Sequence, residues 1–372
     1  MNYINQLPVN TWNHLKVNQG TLEIDVPNTL LPFQPSNLFK LPESLHLEDK
    51  ELQEFKEISE KHFNKNEIEL QEFMNQSKNA TLYLHAKQNE VIQNPITASY
   101  LLDDKNRYLL DENIIIAEEG SEITILLDYK SKAEGSFVHG GITKLYAKKN
   151  SKINLIQVQL LNDESLHFDQ ILGYVEDSAS INVTQIELGA SKNFVGSEVI
   201  LASDAASYEN QTIYLGTEKQ TIDMNYLAKH YGKHSKSKMI AKGCLDDQSK
   251  KIFRATIDFK RGCNASTGEE LEETLLLSPN IKNQSVPLIL CEEEDVSGVH
   301  AANIGNLKDS QLFYLMSRGL TAEEAKQLLI RSRLQSIYER VPNDSLKAEI
   351  ESYISEKLKS SLVQSKDLDY IL

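Results

Sequence analysis

Short runs in which apolar and polar residues alternate fill the middle of the chain, from about residue 81 to residue 290. They are rich in Ile, Val, Leu, Thr and Tyr, and clusters of Asp, Asn, Gly, Ser and Lys separate them. Alternation with a period of two is typical of a strand with one buried face, and the clusters favour turns. The clearest runs are residues 81–85, 113–117, 123–127, 153–157, 181–185 and 212–215. The pattern predicts a long all-β block.

A repeat of about 30 residues lies within this block. Residues 117–125, 147–155, 175–183 and 202–210 each combine a polar turn that contains a small residue with an alternating strand. Subtracting the aligned positions 123, 153, 181 and 208 gives intervals of 30, 28 and 27. Such a repeat indicates a solenoid, in which each coil buries its apolar face against its neighbours, and two or more strands per interval favour a parallel β-helix. A β-sandwich, whose strands also recur at short spacing, is the alternative.

Helical patterns flank the β block on both sides. Before it, Ile58, Leu70, Phe73 and Met74 follow helical spacing. The first 40 or so residues are irregular and broken by prolines, and Trp12 among them is expected to fill an apolar pocket. These patterns predict an irregular and helical N-terminal segment at residues 1–80 and a β core at residues 81–290.

After residue 290 the pattern becomes helical again. Asp309 is placed to cap a helix that stops at Gly319. Thr321 and Glu324 have the spacing of a capping box that opens a second helix, and a third apolar stripe follows. Residues 291–372 are therefore predicted to form a C-terminal helical segment.

Charge and composition exclude several classes of function. The 372 residues carry a net charge of -15, which argues against binding nucleic acid. The chain shows neither a basic leader nor an apolar run of membrane length, so a soluble, cytoplasmic protein is expected. Three scattered cysteines, Cys244, Cys263 and Cys291, are too few for a disulfide framework and form no Cys-x-x-Cys pair.

Cys291 and His300 are the candidate metal ligands. Cys291 ends an apolar run, and His300 follows an acidic turn at residues 292–295. If both lie near one end of the sheet, they offer a thiolate and an imidazole to iron or another transition metal. For Cys291 alone, packing is the stronger interpretation, and the acidic turn either adds ligands or is merely solvated.

Other chemical motifs are weaker. His139, beside two glycines, is expected to be structural. His230 and His234 have the spacing of two ligands on a helix, but the lysines around them would repel a cation, so a solvated basic turn is expected. The sequence contains no phosphate-binding loop, nucleophile elbow or zinc-protease motif, so no catalytic residue is predicted.

The region from residue 289 to residue 330 resembles the C-terminal signature of the SufB/SufD family of iron-sulfur cluster assembly proteins. The signature combines the acidic turn, Val-His-Ala-Ala-Asn-Ile-Gly at 299–305, Leu-Phe-Tyr-Leu-Met-Ser-Arg-Gly-Leu at 312–320 and the helix at 321–330. Residues 113–124 and 243–278 are similar to the first and last coils of that family. The resemblance implies a mainly β fold, with a right-handed parallel β-helix core between N-terminal and C-terminal helical segments.

The resemblance also implies a function. The chain would be a non-catalytic scaffold subunit that pairs with a SufB-like subunit through the β-helix and docks a SufC-like ATPase on its C-terminal helices. An iron-sulfur cluster would form transiently at the junction between the two β-helices, with no cofactor on the isolated chain, which is also able to homodimerise.

Within the family, SufB-like chains are longer and richer in cysteine, so this chain is more similar to the SufD branch, whose signature histidine maps onto His300. Some members have a cysteine where this chain has Gly298. The alternatives are a SufB-like scaffold, a structural partner that does not contact metal, and a β-helix enzyme acting on acidic polysaccharide.

Overall fold

Two long parallel sheets dominate the computed structural model, which describes residues 3–27, 29–35, 49–63 and 65–369. The odd sheet consists of β3 (Ala80–Ala86), β5 (Tyr108–Ala117), β7 (Val138–Ala147), β9 (Leu166–Val175), β11 (Lys192–Leu201), β13 (Thr221–His230), β15 (Lys250–Phe259) and β17 (Lys282–Cys291). The even sheet consists of β4 (Ile96–Leu102), β6 (Glu122–Ser131), β8 (Lys152–Leu160), β10 (Ser180–Glu187), β12 (Ser207–Gly216), β14 (Lys236–Leu245), β16 (Ser266–Leu276) and β18 (Val296–Asn306).

Each coil contributes one strand to each sheet. Every strand of these two sheets pairs in parallel with the strand two places along the chain, as β8 does with β10. The result is a parallel β-solenoid of about eight turns, because eight strands stack in each sheet. The predicted parallel β-helix is confirmed, and the antiparallel β-sandwich is excluded.

The sequence repeat coincides with the register of the even sheet. Ile123 lies opposite Ile153, Ile153 opposite Ile181, and Ile181 opposite Tyr208. All four side chains are buried in the interior core. The repeat therefore marks equivalent positions in successive coils, as a solenoid requires.

The small residue in each repeat occupies a left-handed turn. Gly120, Asn150, Ser178 and Ala205 have φ values of 71°, 58°, 55° and 56°. Their N–H groups donate to carbonyl oxygens in the turn of the next coil, for example from Asn150 to Asp177 at 2.9 Å. The stacked turns thus continue the hydrogen-bond ladder around the corner of the solenoid.

Three apolar layers hold the molecule together. The largest core lies between the two sheets and runs from Phe33 to Cys263. On the outer face of the odd sheet lie α1 (Asp49–His62), α2 (Lys65–Ser77) and the short antiparallel pair β1 (Tyr3–Ile4) and β2 (Gly20–Thr21). On the outer face of the even sheet pack α4 (Ala322–Tyr338) and α5 (Asp344–Asp369), which follow α3 (Asp309–Ser317). None of the described helices is long and apolar enough to span a membrane.

The ends of α3 and α4 agree with the predicted caps except at one residue. The capping box of α4 is present: the Glu324 N–H donates to the Thr321 hydroxyl at 3.2 Å, and the Thr321 N–H donates to the Glu324 carboxylate at 2.8 Å. Gly319, with φ 99°, follows α3 as expected. The predicted cap of α3 is one residue off, because Asp309 is already the first helical residue and Lys308 occupies the cap position.

Trp12 does not fill a pocket, so that prediction is wrong. Its side chain is 55% exposed, before a 3₁₀ turn at Asn13–Leu15. The apolar anchors of this loop are instead Leu7 and Val17, which pack on Val286 of β17. Of the irregular region expected up to residue 40, residues 1–2, 28 and 36–40 lie outside the described residues.

The solenoid continues beyond the boundary expected at residue 290. β18 pairs with β16 along its whole length, so the even sheet extends to Asn306. The helices begin only after it. The signature histidine, His300, therefore lies on a strand of the solenoid.

Candidate functional site

The last coil leaves one end of the solenoid open. β17 and β18 are the terminal strands of their sheets, and each pairs along one edge only within the described part of the chain. Nearly every residue of β18 is exposed, including the apolar Val299 and Ile304. A long exposed edge strand with apolar side chains is a template for pairing with another strand. This open end is therefore a candidate interface.

His300 lies in the middle of β18, directly opposite Glu270 of β16. Parallel strands in register point paired side chains to the same face, so both residues face the solenoid interior. The His300 side chain is 30% exposed, whereas the Glu270 side chain is fully buried. Nδ1 of His300 lies 3.5 Å from Oε2 of Glu270.

Glu270 is an unusual acid, because neither of its carboxylate oxygens has a hydrogen-bond partner among the described residues. Burial raises the pKa of Glu270 to about 9, and the nearby Ile257 N–H offsets only part of that effect. A buried carboxyl without a partner is costly for the fold. The sequence analysis missed Glu270, because it belongs to one acidic run with Glu269, Glu272 and Glu273.

The neighbouring inward acid, Glu272, is neutralised by contrast. It forms a fully buried ion pair with Lys251 of β15 and also accepts a hydrogen bond from the Thr274 hydroxyl at 2.9 Å. Burial lowers the pKa of Lys251, although Glu272 opposes that effect. Of these two acids, Glu272 thus has a lysine beside its carboxylate, whereas Glu270 has the His300 imidazole at 3.5 Å.

Cys291 occupies a different place from His300. It is the exposed last residue of β17, at the corner between the two sheets, and its sulfur donates to the Glu293 carbonyl oxygen at 2.9 Å. The structure does not assemble the predicted residues into a complete ligand set. Among the described residues, no three His, Cys, Asp or Glu side chains form a group that could hold a metal ion.

The acidic turn between β17 and β18 has structural contacts. Glu293 accepts hydrogen bonds from the Gly262 N–H at 2.9 Å and from the Asn264 amide at 3.2 Å. The Gly262 N–H lowers the pKa of Glu293. Glu292 pairs with Lys260 at 3.0 Å. These two acids fasten the last turn to the turn beneath it.

A second exposed feature lies on the helices after the solenoid. Four apolar side chains of α3 and α4 face solvent, and we call them the helical patch: Phe313, Tyr314, Met316 and Leu328. Phe313 is 74% exposed. The opposite side of α4 is anchored on the even sheet by buried residues such as Ile330 and Leu334. A group of exposed apolar side chains, here on α3 and on the anchored α4, is typical of a docking site.

The histidines with weaker sequence signals are buried in the fold, with one exception. His139 donates or accepts through both ring nitrogens, at 2.8 Å from Asp111 and 2.7 Å from His167, in agreement with a structural role. His230 is buried and bonds to two serine hydroxyls, so the expectation of a solvated turn is wrong for it. His234 lies in an exposed turn.

Comparison with known proteins places the open end and the helical patch within a matched family region. The sequence model of the family described as "SUF system FeS cluster assembly, SufBD core domain" matches residues 100–333, which include the open end and the helical patch. The iron-sulfur cluster assembly protein SufD of Bacillus subtilis is 24% identical over 328 residues, covering 82% of this chain and 72% of that protein.

Two further relatives are similar over shorter parts of the chain. A chloroplastic SufBD family iron-sulfur cluster assembly protein of Arabidopsis thaliana is 24% identical over 277 residues, 72% of this chain and 50% of that protein. A SufBD family protein of Pyrococcus horikoshii is 24% identical over 265 residues, 71% of this chain and 59% of that protein. The chain thus spans between half and three fifths of the length of these two relatives.

Proposed function

The chain belongs to the SufBD family of the SUF system for iron-sulfur cluster assembly, and we propose that it is a SufD-like scaffold subunit. Two observations support the SufD branch: the similarity to a relative named SufD and the presence of only three cysteines. In this proposal the protein acts in the cytoplasm, has no catalytic activity of its own, and works together with a SufB-like subunit and a SufC-like ATPase.

The observation that carries the proposal is the open end of the solenoid. A SufB-like β-helix would continue the even sheet by pairing with the free edge of β18, and the exposed Val299 would then be buried at the junction. The same edge would allow two copies of this chain to pair when the partner is absent. Domain limits near residues 80 and 306 follow from this arrangement, with the helices as a separate docking element.

A charge on the free edge tests the junction. Val299→Lys should weaken binding to the SufB-like subunit about tenfold or more, because lysine on an edge strand opposes strand pairing. Leu101→Lys is the matched control, since Leu101 is an equally exposed apolar residue on β4, at the opposite end of the same sheet. Gel filtration and calorimetry measure the complex. Unchanged binding by the Val299 variant would contradict the proposed junction.

The helical patch is the proposed docking site for the SufC-like ATPase. Phe313→Asp should abolish ATPase binding, since it places a charge in the most exposed part of the patch. Leu31→Asp serves as the control, because Leu31 is also an exposed apolar residue but belongs to the N-terminal segment. Pull-down with the ATPase gives the answer, and retention by the Phe313 variant would count against this site.

His300 is the proposed contact of this subunit with the cluster or its iron, and Cys291 is the alternative ligand. Both residues lie on the terminal strands that would form the junction, and the His300 ring on β18 is partly exposed. His300→Ala should lower the iron and sulfide recovered on the complex without preventing its assembly, whereas Cys291→Ser should not if His300 alone is the ligand. A silent His300→Ala would instead favour a purely structural subunit.

A further inference from the structure

Glu270 is a fully buried carboxyl group on the strand next to that of His300, and it has no hydrogen-bond partner among the residues that the structure describes. Buried acids are normally paired or hydrogen-bonded, as Glu272 is with Lys251. An exception needs an explanation, and an ion from outside the chain is one. The column of inward positions beneath Glu270 is Ile125, Leu155, Val183, Asn210 and Met239, and all five are buried.

The distance between the two side chains fits a shared ion. Nδ1 of His300 and Oε2 of Glu270 are 3.5 Å apart, whereas N–H···O hydrogen bonds fall at about 2.7–3.2 Å. Two ligands on one tetrahedral ion, with metal–nitrogen and metal–oxygen bonds of about 2.0–2.2 Å, lie about 3.4 Å apart. The register of β16 and β18 therefore holds a nitrogen and an oxygen at the separation that one ion requires.

The surroundings leave this position reachable from the open end. Gly268 and Gly298 lie opposite each other, two residues before Glu270 and His300 on the same face. A Cβ at Gly268 would come within 2.7 Å of the Ile257 side chain. The side chains of Ile257 and Ile289 fill the space over the two glycines. Access to the pair is therefore from the open end, where His300 is partly exposed to solvent.

We propose that Glu270 and His300 form a two-ligand half-site for a divalent transition-metal ion of the Fe²⁺ class, completed by water or by side chains across the junction. The inference rests on the proposed scaffold function and assigns Glu270 a role as a metal ligand. Imidazole nitrogen and carboxylate oxygen together suit a borderline ion such as Fe²⁺. Two ligands bind weakly alone, and the partner subunit would raise the affinity.

Anaerobic titration with Co²⁺, whose visible absorption reports tetrahedral coordination, tests the half-site on the full chain and on the complex with the SufB-like and SufC-like subunits. Glu270→Gln and His300→Gln should each weaken Co²⁺ binding about tenfold or more, and the double variant should bind no more weakly than the worse single variant. Glu269→Gln is the matched control, since Glu269 is the outward neighbour on the same strand and pairs with Lys238. Wild-type binding by Glu270→Gln would overturn the proposal.

A hydrogen-bonding role for Glu270 predicts a different pattern. Gln still accepts a hydrogen bond from the ring, so a merely orienting Glu270 would be replaced by Gln without loss but not by Met. Wild-type Co²⁺ binding by Glu270→Gln together with loss of Co²⁺ binding by Glu270→Met would therefore refute ligation. Circular dichroism confirms folding of each variant, and Gln keeps the shape of the side chain without its buried charge.

The outcomes separate this proposal from the scaffold function. If His300→Gln lowers cluster yield while Glu270→Gln binds Co²⁺ like the wild type, the half-site fails and the scaffold function stands. If the wild-type chain forms no complex with its partners, the scaffold function fails, while Co²⁺ binding to the chain alone still decides the half-site. Absence of Co²⁺ binding to both the chain and the complex overturns the half-site.

Discussion

Glu187→Gln should stabilise the protein at alkaline pH and have little effect at acidic pH. Glu187 ends β10 and is buried inside the solenoid, where it accepts a hydrogen bond from the Asn193 amide at 2.9 Å. Nε2 of His167 lies 3.6 Å from the carboxylate. Burial raises the pKa of Glu187 to about 7, with Asn193 opposing it, and burial lowers the pKa of His167. The fold thus favours the neutral form of both groups.

The size of the effect follows from the difference in pKa between the folded and unfolded states. For Glu187 the difference is 7 minus 4.5, or about 2.5 units, and each unit corresponds to about 1.36 kcal/mol. Because the folded pKa is raised, the folded state binds more protons between these values, and stability falls as pH rises from about 4.5 through 7. Gln carries no proton to lose. The variant should therefore gain about 3 kcal/mol relative to wild type between pH 4.5 and pH 8.5.

Urea denaturation followed by circular dichroism measures this gain at the two pH values. Asp169 also faces the site. Burial raises the pKa of Asp169, and the charges of Asp111 and Glu187 raise it further, so its titration adds to the same trend. Glu164→Gln, on the exposed turn before β9, controls for the change in net charge. A stability difference between wild type and the Glu187 variant that stays constant with pH would refute the reasoning.

Three further predictions concern the stability of the fold and the reactivity of its cysteines. Gly232→Ala should destabilise the fold by about 1–3 kcal/mol, because a Cβ there would lie 1.8 Å from the Ser203 carbonyl oxygen; an unchanged urea midpoint would contradict this. In the native protein one thiol should react readily with a thiol reagent, because Cys291 is exposed whereas Cys244 and Cys263 are buried. Cys291→Ser should remove that reaction, and a second fast-reacting thiol would contradict the burial of the other two. Thr321→Ala should cost about 1 kcal/mol by removing the α4 capping box with Glu324, and a loss below about 0.5 kcal/mol in denaturation would argue that the cap is dispensable.

The coils could be predicted from sequence because each one repeats the same physical requirement. Ile123, Ile153 and Ile181 must all be apolar, since each packs in the core on the equivalent residue of the next coil. The small turn residues recur because the chain reverses through a left-handed conformation at that point. Periodic constraints of this kind are visible in a single sequence.

Trp12 shows where such reasoning fails. A lone tryptophan is usually buried, but the N-terminal segment has no repeat that relates it to a neighbour. Its position depends on contacts with distant residues, such as Val17 with Val286 and Asn5 with Asp223 at 2.7 Å. Contacts between segments more than 200 residues apart leave no local pattern, so the exposure of Trp12 is evident only from the fold.

The inward position of Glu270 could have been predicted only in part. It follows from the repeat, but Glu270 lies beyond residues 202–210, the last copy of the repeat recognised in the sequence. Extending the inward column from Asn210 by intervals of 29, 31 and 30 reaches Met239, Glu270 and His300. In the acidic run itself the face of each glutamate is ambiguous, since outward Glu269 and inward Glu270 are adjacent. The column removes that ambiguity: a position that is apolar in the early coils becomes an acid and then a histidine where the solenoid opens. A substitution that is costly for packing, at the point where a partner would bind, is better explained by a ligand than by the fold.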